Sequence, residues 1–164
     1  MARLLIFGGG QRGMWLAGEL IEEGLVARIV TRDEGRRAGI EALGAECWVG
    51  DPNRLASVVG ALEGVTIACW LLGSASGEAE QLQALHGPIL ESFLSEAIDT
   101  TMRGFVYEAA GSVPEEMLVT GVQAAKALAQ RNLIPLRVLD ADPAAQELWR
   151  SQALEAVSGL LTAR

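Results

Sequence analysis

The stretch Leu4-Leu5-Ile6-Phe7-Gly8-Gly9-Gly10-Gln11-Arg12-Gly13 decides how this chain folds. Its first four residues are apolar, as in a buried strand, and the run of glycines then interrupts the strand. A helical pattern of apolar residues follows at once, and a second apolar run extends from Val26 to Val30. Gly8, Gly10 and Gly13 satisfy the spacing G-x-G-x-x-G, in the strand-before, helix-after context that this motif requires. The sequence therefore predicts a strand–turn–helix–strand unit.

Each glycine of this motif has a separate physical role. Gly8 permits the tight turn, Gly10 lets the backbone approach a pyrophosphate, and Gly13 lets the helix pack closely on the strand. The free N–H groups at the helix N-terminus would then hold the phosphates, where the helix dipole favours negative charge. The motif thus predicts dinucleotide binding. The alternative is a glycine-rich turn in an α/β protein that binds no such ligand.

The composition limits the classes of protein to consider. A chain of 164 residues, half of them hydrophobic, is long enough for one domain with a substantial core. The net charge of −8 argues against a nucleic-acid surface, which needs a basic face. No apolar run reaches the roughly 18 residues of a membrane span, and no cleavable signal pattern is seen. Cys47 and Cys69 are spaced like neither a metal clip nor a redox pair, and His86 is the only histidine. We expect a cytoplasmic protein without a metal site.

Strand and helix patterns alternate along the rest of the chain. The predicted strands beyond the opening unit are residues 45–49, 65–72, 103–109 and 134–139. Helices are predicted between them, including one capped by Asn53 and a final one opened by Pro143. This alternation predicts parallel strands with right-handed crossovers, in the order 3-2-1-4-5-6. We expect one α/β domain over residues 1–164, a three-layer Rossmann domain with a six-stranded, mainly parallel sheet and no separate substrate domain.

The glycine motif, Val30-Thr31-Arg32, Gly50-Asp51 and the run at residues 103–107 together resemble an atypical short-chain dehydrogenase/reductase. That superfamily includes NAD(P)-dependent epimerases and NmrA-like regulators, and the resemblance covers nearly the whole chain. It implies that Arg32 meets the adenosine ribose or its 2′-phosphate and that Asp51 holds the adenine. It also implies that the loop at Leu72-Gly73-Ser74 lies under the cofactor.

The same resemblance shows what this chain lacks. The family has a serine at the end of the fifth strand, where this chain has Glu108-Ala109-Ala110. The family's Tyr-x-x-x-Lys motif would place a tyrosine four residues before Lys126, the only lysine, but Val122 occupies that position. Tyr107, the only tyrosine, lies in a predicted strand. The usual proton donor is therefore missing.

Charged residues near the cofactor loop leave alternatives open. An arginine fork at position 32 would pair with a phosphate and favour NADP. An acidic residue such as Asp33 would accept from the ribose 2′-OH and favour NAD. We favour NADP. Gln11 and Arg12 belong to the glycine loop, and Arg12 either meets a phosphate or is a solvated residue of the first helical turn.

The candidate catalytic residues have plainer alternatives. Glu108 could act as a base if it were desolvated, or it could be an exposed carboxylate at the edge of a loop. Lys126 could contact the nicotinamide ribose, although a helix-surface position is favoured, and His86 is predicted to be structural. The apolar stripe of the final helix is predicted to cover the sheet and, secondly, to form a homodimer. It consists of Leu148, Trp149, Leu154, Val157, Leu160 and Leu161.

The sequence therefore supports three functions. The first is a non-catalytic dinucleotide-binding or redox-sensing module, favoured by the missing serine and tyrosine. The second is an NADP-dependent oxidoreductase or epimerase. The third is binding of another adenosine ligand, such as S-adenosylmethionine, which is supported only by the shared glycine loop.

Overall fold

Six parallel strands form one sheet in the computed structural model, which describes residues 1–162. The strands are β1 (Arg3–Gly8), β2 (Val26–Thr31), β3 (Glu46–Val49), β4 (Ile67–Leu71), β5 (Gly104–Glu108) and β6 (Leu136–Leu139). Their order across the sheet is β3-β2-β1-β4-β5-β6, and every neighbouring pair is parallel. The predicted fold class and strand order are confirmed.

Helices cover both faces of this sheet. They are α1 (Gly10–Glu22), α2 (Arg37–Ala42), α3 (Ala79–Leu85), α4 (Pro88–Ala97), α5 (Glu115–Asn132) and α6 (Gln146–Thr162). Buried residues of α1, α2 and α6 pack in one hydrophobic cluster, and those of α3, α4 and α5 pack in a second cluster on the opposite face. The result is the predicted three-layer arrangement.

The central strand β1 shows why its sequence is continuously apolar. Leu4 and Ile6 belong to the cluster on the α1 side, whereas Leu5 and Phe7 belong to the cluster on the α4 side. All four side chains have no exposed surface. Alternate side chains of a strand point to opposite faces, so a strand covered on both faces has no polar position.

The segment after β3 differs from its prediction. The helix expected after Asn53 is absent, and two short 3-10 turns, Leu55–Ser57 and Val59–Leu62, take its place. The Asp51 carboxylate accepts a hydrogen bond from the backbone N–H of Asn53 at 2.9 Å, and the Ser57 hydroxyl bonds to the backbone of Asp51. Such local side-chain bonds compete with helical ones.

The final helix also begins later than predicted, at Gln146 instead of Pro143. The Asp142 side chain accepts from the N–H of Ala144 at 2.9 Å, and this turn delays the helix. The predicted stripe of α6 does cover the sheet, because Trp149 and Leu160 are only 1% and 6% exposed. These two residues are therefore not available for a homodimer surface.

Two further expectations concern membranes and metals. Within residues 1–162, no helix combines the length and apolar character needed to cross a membrane. The same residues contain no group of three or more histidine, cysteine, aspartate or glutamate side chains arranged to hold a metal ion.

Candidate functional site

A cleft of about 590 Å³ opens at the carboxyl edge of the sheet. It is built from the loops that follow β1, β2, β3 and β4, so it lies where the strand order reverses between β1 and β4. Ligands of open α/β sheets bind at such a position. The lining residues are Gly8–Arg12, Val30–Asp33, Arg36, Gly50–Asn53, Leu71, Leu72, Ser74–Ser76 and Leu85.

The glycine loop forms the middle of this cleft. Gly8, Gly9 and Gly10 have φ angles of 69°, 78° and 50°, a left-handed conformation that side-chain-bearing residues rarely adopt. Apart from the adjoining residues of the loop and the backbone of α1, no atom of residues 1–162 lies within 4 Å of the position that a Cβ at Gly10 would take. A Cβ at Gly13 would instead overlap the carbonyl oxygen of Gly8, since α1 packs directly on β1 there. The loop is therefore sharply turned, and Gly10 leaves open space.

Arg32 and Asp33, at the end of β2, are used differently. The Asp33 carboxylate accepts a hydrogen bond from the backbone N–H of Gly35 at 2.8 Å and caps the short turn Glu34–Arg36. Arg32 and Arg36 line the cleft, and neither forms an ion pair with another of residues 1–162. Two arginines without an ion-pair partner among residues 1–162 thus line the cleft in the segment after β2.

Arg36 was missed by the sequence analysis. The sequence feature that could have indicated Arg36 is its position four residues after Arg32. The short turn Glu34–Arg36 ends at this residue, and both arginines line the cleft. Arg37, its neighbour, does not line the cleft and instead pairs with Glu34 and Glu41 on the surface.

Asp51 lines the same cleft from the loop after β3. Its carboxylate is bonded to Asn53 N–H, as described above, and it lines the cleft together with Pro52 and Asn53. A Cβ at Gly50 would lie 2.7 Å from the carbonyl oxygen of Ser57. Close packing therefore fixes the loop that presents Asp51.

The residues of the loop after β4 face two different parts of the molecule, the cleft and the end of β5. Leu72 and Ser74 line the cleft, in the loop that the resemblance implies lies under the cofactor, and so does Ser76, which the sequence analysis did not name. Gly73 does not line it, because this glycine packs against the backbone of Ala110 and its N–H donates to Glu108 at 3.0 Å. The loop after β4 is thus tied to the end of β5.

Glu108, at the end of β5, has no exposed surface, so the expectation of an exposed loop-edge carboxylate is wrong. Both of its oxygens lie 3.0 Å from Nη2 of Arg12, and Oε2 accepts from the indole N–H of Trp149 at 2.8 Å. With the Gly73 N–H, every partner of this carboxylate is a donor, which suits an ionised group that can only accept.

Arg12 is committed to this buried cluster. Its guanidinium carbon lies 5.2 Å from the centre of the Trp149 ring, and its Nε atom is buried without a hydrogen-bond partner among residues 1–162. Arg12 lines the cleft, but its charged group points to the end of β5. It is not the solvated first-turn residue considered as an alternative.

The remaining candidates lie outside the cleft. Lys126 is exposed on α5 and is not among the lining residues. Tyr107 is fully buried, and burial, followed by the nearby charge of Glu108, raises the pKa of its hydroxyl far above the ordinary value. His86 is 1% exposed, and burial lowers its pKa, although a hydrogen bond to the Leu72 carbonyl opposes this effect. No tyrosine–lysine pair faces the cleft.

Comparison with known proteins places the fold. No protein-family model matches the sequence, and no curated protein matches it. Solved structures do match, among them a protein from Bacillus halodurans described as a candidate NAD-dependent epimerase/dehydratase, with a TM-score of 0.70 and 15% identity over 84% of this chain and 69% of that one.

Two other solved structures match over 48% of their own length. One is a short-chain dehydrogenase/reductase superfamily protein from Agrobacterium tumefaciens with bound NAD, with a TM-score of 0.67 and 15% identity over 83% of this chain. The other is the Citrobacter sp. triphenylmethane reductase complexed with NADP(H), with a TM-score of 0.62 and 18% identity over 85% of this chain. The chain thus spans about half the length of these two proteins. The likeness shows that the chain has a Rossmann fold, which these solved structures share.

Proposed function

We propose that the cleft binds a nicotinamide dinucleotide, with the pyrophosphate over the glycine loop. The observation that carries this proposal is the open space at Gly10, in a left-handed turn at the reversal point of the sheet. Backbone N–H groups at the start of α1 supply donors for the phosphates. In this proposal Gly8, Gly10, Gln11 and Gly13 form the phosphate loop.

The charged residues that line the cleft after β2 favour NADP over NAD. Arg32 and Arg36 have no ion-pair partner among the described residues, whereas the Asp33 carboxylate already caps a turn. A guanidinium pairs well with a phosphate, and two unpaired ones suit a 2′-phosphate. In this proposal Asp51 approaches the adenine and Leu72 lies under the ligand, and both residues line the cleft.

We infer a binding or redox-sensing module in preference to an oxidoreductase. Glu108 is fully engaged by Arg12, Trp149 and Gly73, and Lys126 is exposed on α5 away from the cleft. An NADP-dependent oxidoreductase or epimerase is the second candidate, supported by the solved structures of similar fold. Binding of another adenosine ligand is the third.

Oligomeric state and location remain predictions. A homodimer through the later helices would have to use exposed residues such as Leu148, because Trp149 and Leu160 are buried within the chain's own core. Light scattering at micromolar concentration measures this directly, and a monomer unaffected by cofactor would contradict it. A cytoplasmic location and the absence of nucleic-acid binding rest on the sequence pattern and on the net charge of −8.

The proposal is tested by thermal unfolding with NADP, NAD, a flavin dinucleotide and S-adenosylmethionine. A ligand at 100 times its dissociation constant adds about 2.7 kcal/mol to the stability of the folded state. For a chain of this size, that should raise Tm by roughly 5–10 °C. We expect NADP to give the largest shift. A shift with S-adenosylmethionine alone would replace this proposal with the third candidate.

A further inference from the structure

The cleft stops short of the last two strands. All of its lining residues precede His86, and none of residues 86–162 contributes to it. A dinucleotide bound across an open α/β sheet places its two nucleosides over the two halves of the sheet. The adenosine half has a complete surface here, from the ends of β1, β2 and β3. The other half would need space beyond the loop after β4, beside β5 and β6.

The ion pair between Arg12 and Glu108 occupies that second half. Arg12 belongs to α1, which follows β1, and Glu108 ends β5, so the pair passes over the end of the intervening strand β4. The indole N–H of Trp149 donates to Glu108 from α6, and the Gly73 N–H donates to it from the loop after β4. Side chains of the same protein thus lie over the half of the sheet where a second nucleoside would be expected.

Burial and several hydrogen bonds hold the Arg12–Glu108 pair in this position. Glu108 has no exposed surface, Trp149 is 1% exposed, and the carboxylate receives hydrogen bonds from three separate elements of the fold. Moving Arg12 aside would leave a buried carboxylate without its counter-charge, which is strongly unfavourable. A bound nicotinamide would have to supply an equivalent partner. Its amide is neutral, and the charged ring of the oxidised form has no N–H on its nitrogen, so neither group reproduces the charged hydrogen bonds that Arg12 donates to Glu108.

We propose that the cleft recognises the adenosine 5′-diphosphate part of its ligand, together with a 2′-phosphate, and that the nicotinamide nucleoside adds little to the affinity. This inference rests on the proposed function, because it specifies which part of the dinucleotide is held. The ligand class is then a 2′-phosphorylated adenosine diphosphate, whether or not a nicotinamide is attached. The Arg12–Glu108 pair is the positioning device that sets this limit.

Calorimetry on the full chain tests the inference with NADP, 2′-phospho-ADP-ribose and nicotinamide mononucleotide. We expect the first two to bind with dissociation constants within threefold of each other, and the third not to bind at millimolar concentration. NADP binding more than tenfold tighter than 2′-phospho-ADP-ribose would overturn the inference and leave the proposed function standing. Absence of binding by both would overturn the proposed function as well.

Two further measurements connect the result to the ion pair. NADPH bound to the wild-type chain should keep the fluorescence emission of free NADPH, because its nicotinamide stays in water. In the double variant Arg12→Ala/Glu108→Ala, which removes both charges together, NADP should gain at least threefold in affinity relative to 2′-phospho-ADP-ribose. A blue-shifted, enhanced emission in the wild type, or an unchanged affinity ratio in a folded double variant, would count against the role of the pair.

Discussion

The Nδ1 atom of His86 lies 2.6 Å from the hydroxyl oxygen of Tyr107, and both side chains are almost completely buried. The other ring nitrogen, Nε2, lies 3.0 Å from the carbonyl oxygen of Leu72, which can only accept. Nε2 therefore carries the proton, and Nδ1 accepts from the Tyr107 hydroxyl. A neutral imidazole thus joins the start of the loop after β4 to β5.

The first prediction is that stability falls when the pH drops below about 6.5. Burial lowers the pKa of His86 in the folded chain below its ordinary value of 6.5. Below pH 6.5 the unfolded chain therefore takes up a proton that the folded chain does not, so stability is fully present above this pH. Urea unfolding between pH 7.5 and 5.5 measures the decline. Because His86 is the only histidine, His86→Gln should flatten this part of the profile, and an equal slope in the variant would contradict the assignment.

The second prediction concerns the phosphate loop and has a matched control. Gly10 and Gly24 both have positive φ angles, 50° and 90°, and both have open space at the Cβ position. Alanine at either position should cost about 1–2 kcal/mol of stability for the left-handed backbone. Only Gly10 lines the cleft, so only Gly10→Ala should also weaken NADP binding by tenfold or more, measured by calorimetry. Equal affinities in the two variants would move the pyrophosphate away from this loop.

The third prediction is that Arg32 distinguishes the two dinucleotides. A hydrogen bond to a charged group contributes about 1.5–3 kcal/mol, so Arg32→Ala should weaken NADP binding roughly ten- to hundredfold and NAD binding much less. Arg37→Ala is the control, because Arg37 belongs to the same segment but does not line the cleft. Equal losses for the two cofactors would show that Arg32 does not read the 2′-phosphate. A wild-type preference for NAD would point to Asp33.

The fourth prediction contrasts two helical glycines. A Cβ at Gly121 of α5 would overlap the hydroxyl of Tyr107, whereas a Cβ at Gly39 of α2 would meet no atom within 4 Å. Gly121→Ala should therefore destabilise the fold by about 1–3 kcal/mol through overpacking. Gly39→Ala should stabilise it by about 0.5–1 kcal/mol, since alanine favours the helix. Denaturant unfolding gives both values, and a neutral Gly121→Ala would show that α5 can shift away from β5.

The fifth prediction is that panels of ordinary aldehydes, ketones and alcohols give no substantial turnover with NADP or NADPH. Carbonyl reduction needs a positioned proton donor, and losing general acid–base catalysis commonly costs 10²–10⁴-fold in rate. Lys126 is exposed, and Tyr107 and Glu108 are buried and engaged. Absorbance at the nicotinamide band measures turnover. Brisk reduction that survives Tyr107→Phe and disappears in Glu108→Gln would identify Glu108 as a catalytic acid.

The fold could be predicted from the sequence because its signals are local. The apolar run of β1, the glycines after it and the alternation that follows each depend on neighbouring residues. The helix predicted after Asn53 was wrong because the side chains of Asp51 and Ser57 bond to the nearby backbone, which apolar spacing does not reveal.

The burial of Glu108 could not be predicted in the same way. Its partners Arg12 and Trp149 lie 96 and 41 residues away along the chain. The order of the strands brings these residues together, but no local pattern marks an arginine in a glycine loop as the counter-charge of a strand end. The sequence left open whether Arg12 meets a phosphate or is solvated, and the structure shows that Glu108 holds its guanidinium.

During folding, β1 can pair with β2 as soon as the first helix has formed between them. Its opposite edge pairs with β4, which follows only after β2, α2 and β3 along the chain. Until β4 docks, the apolar strand β1 keeps a row of unpaired backbone groups, which is a template for pairing with another chain. Docking of β4 on β1 therefore removes the edge at which the chain could aggregate. Variants that slow this docking step should lower the soluble yield even where they leave the stability of the folded protein unchanged.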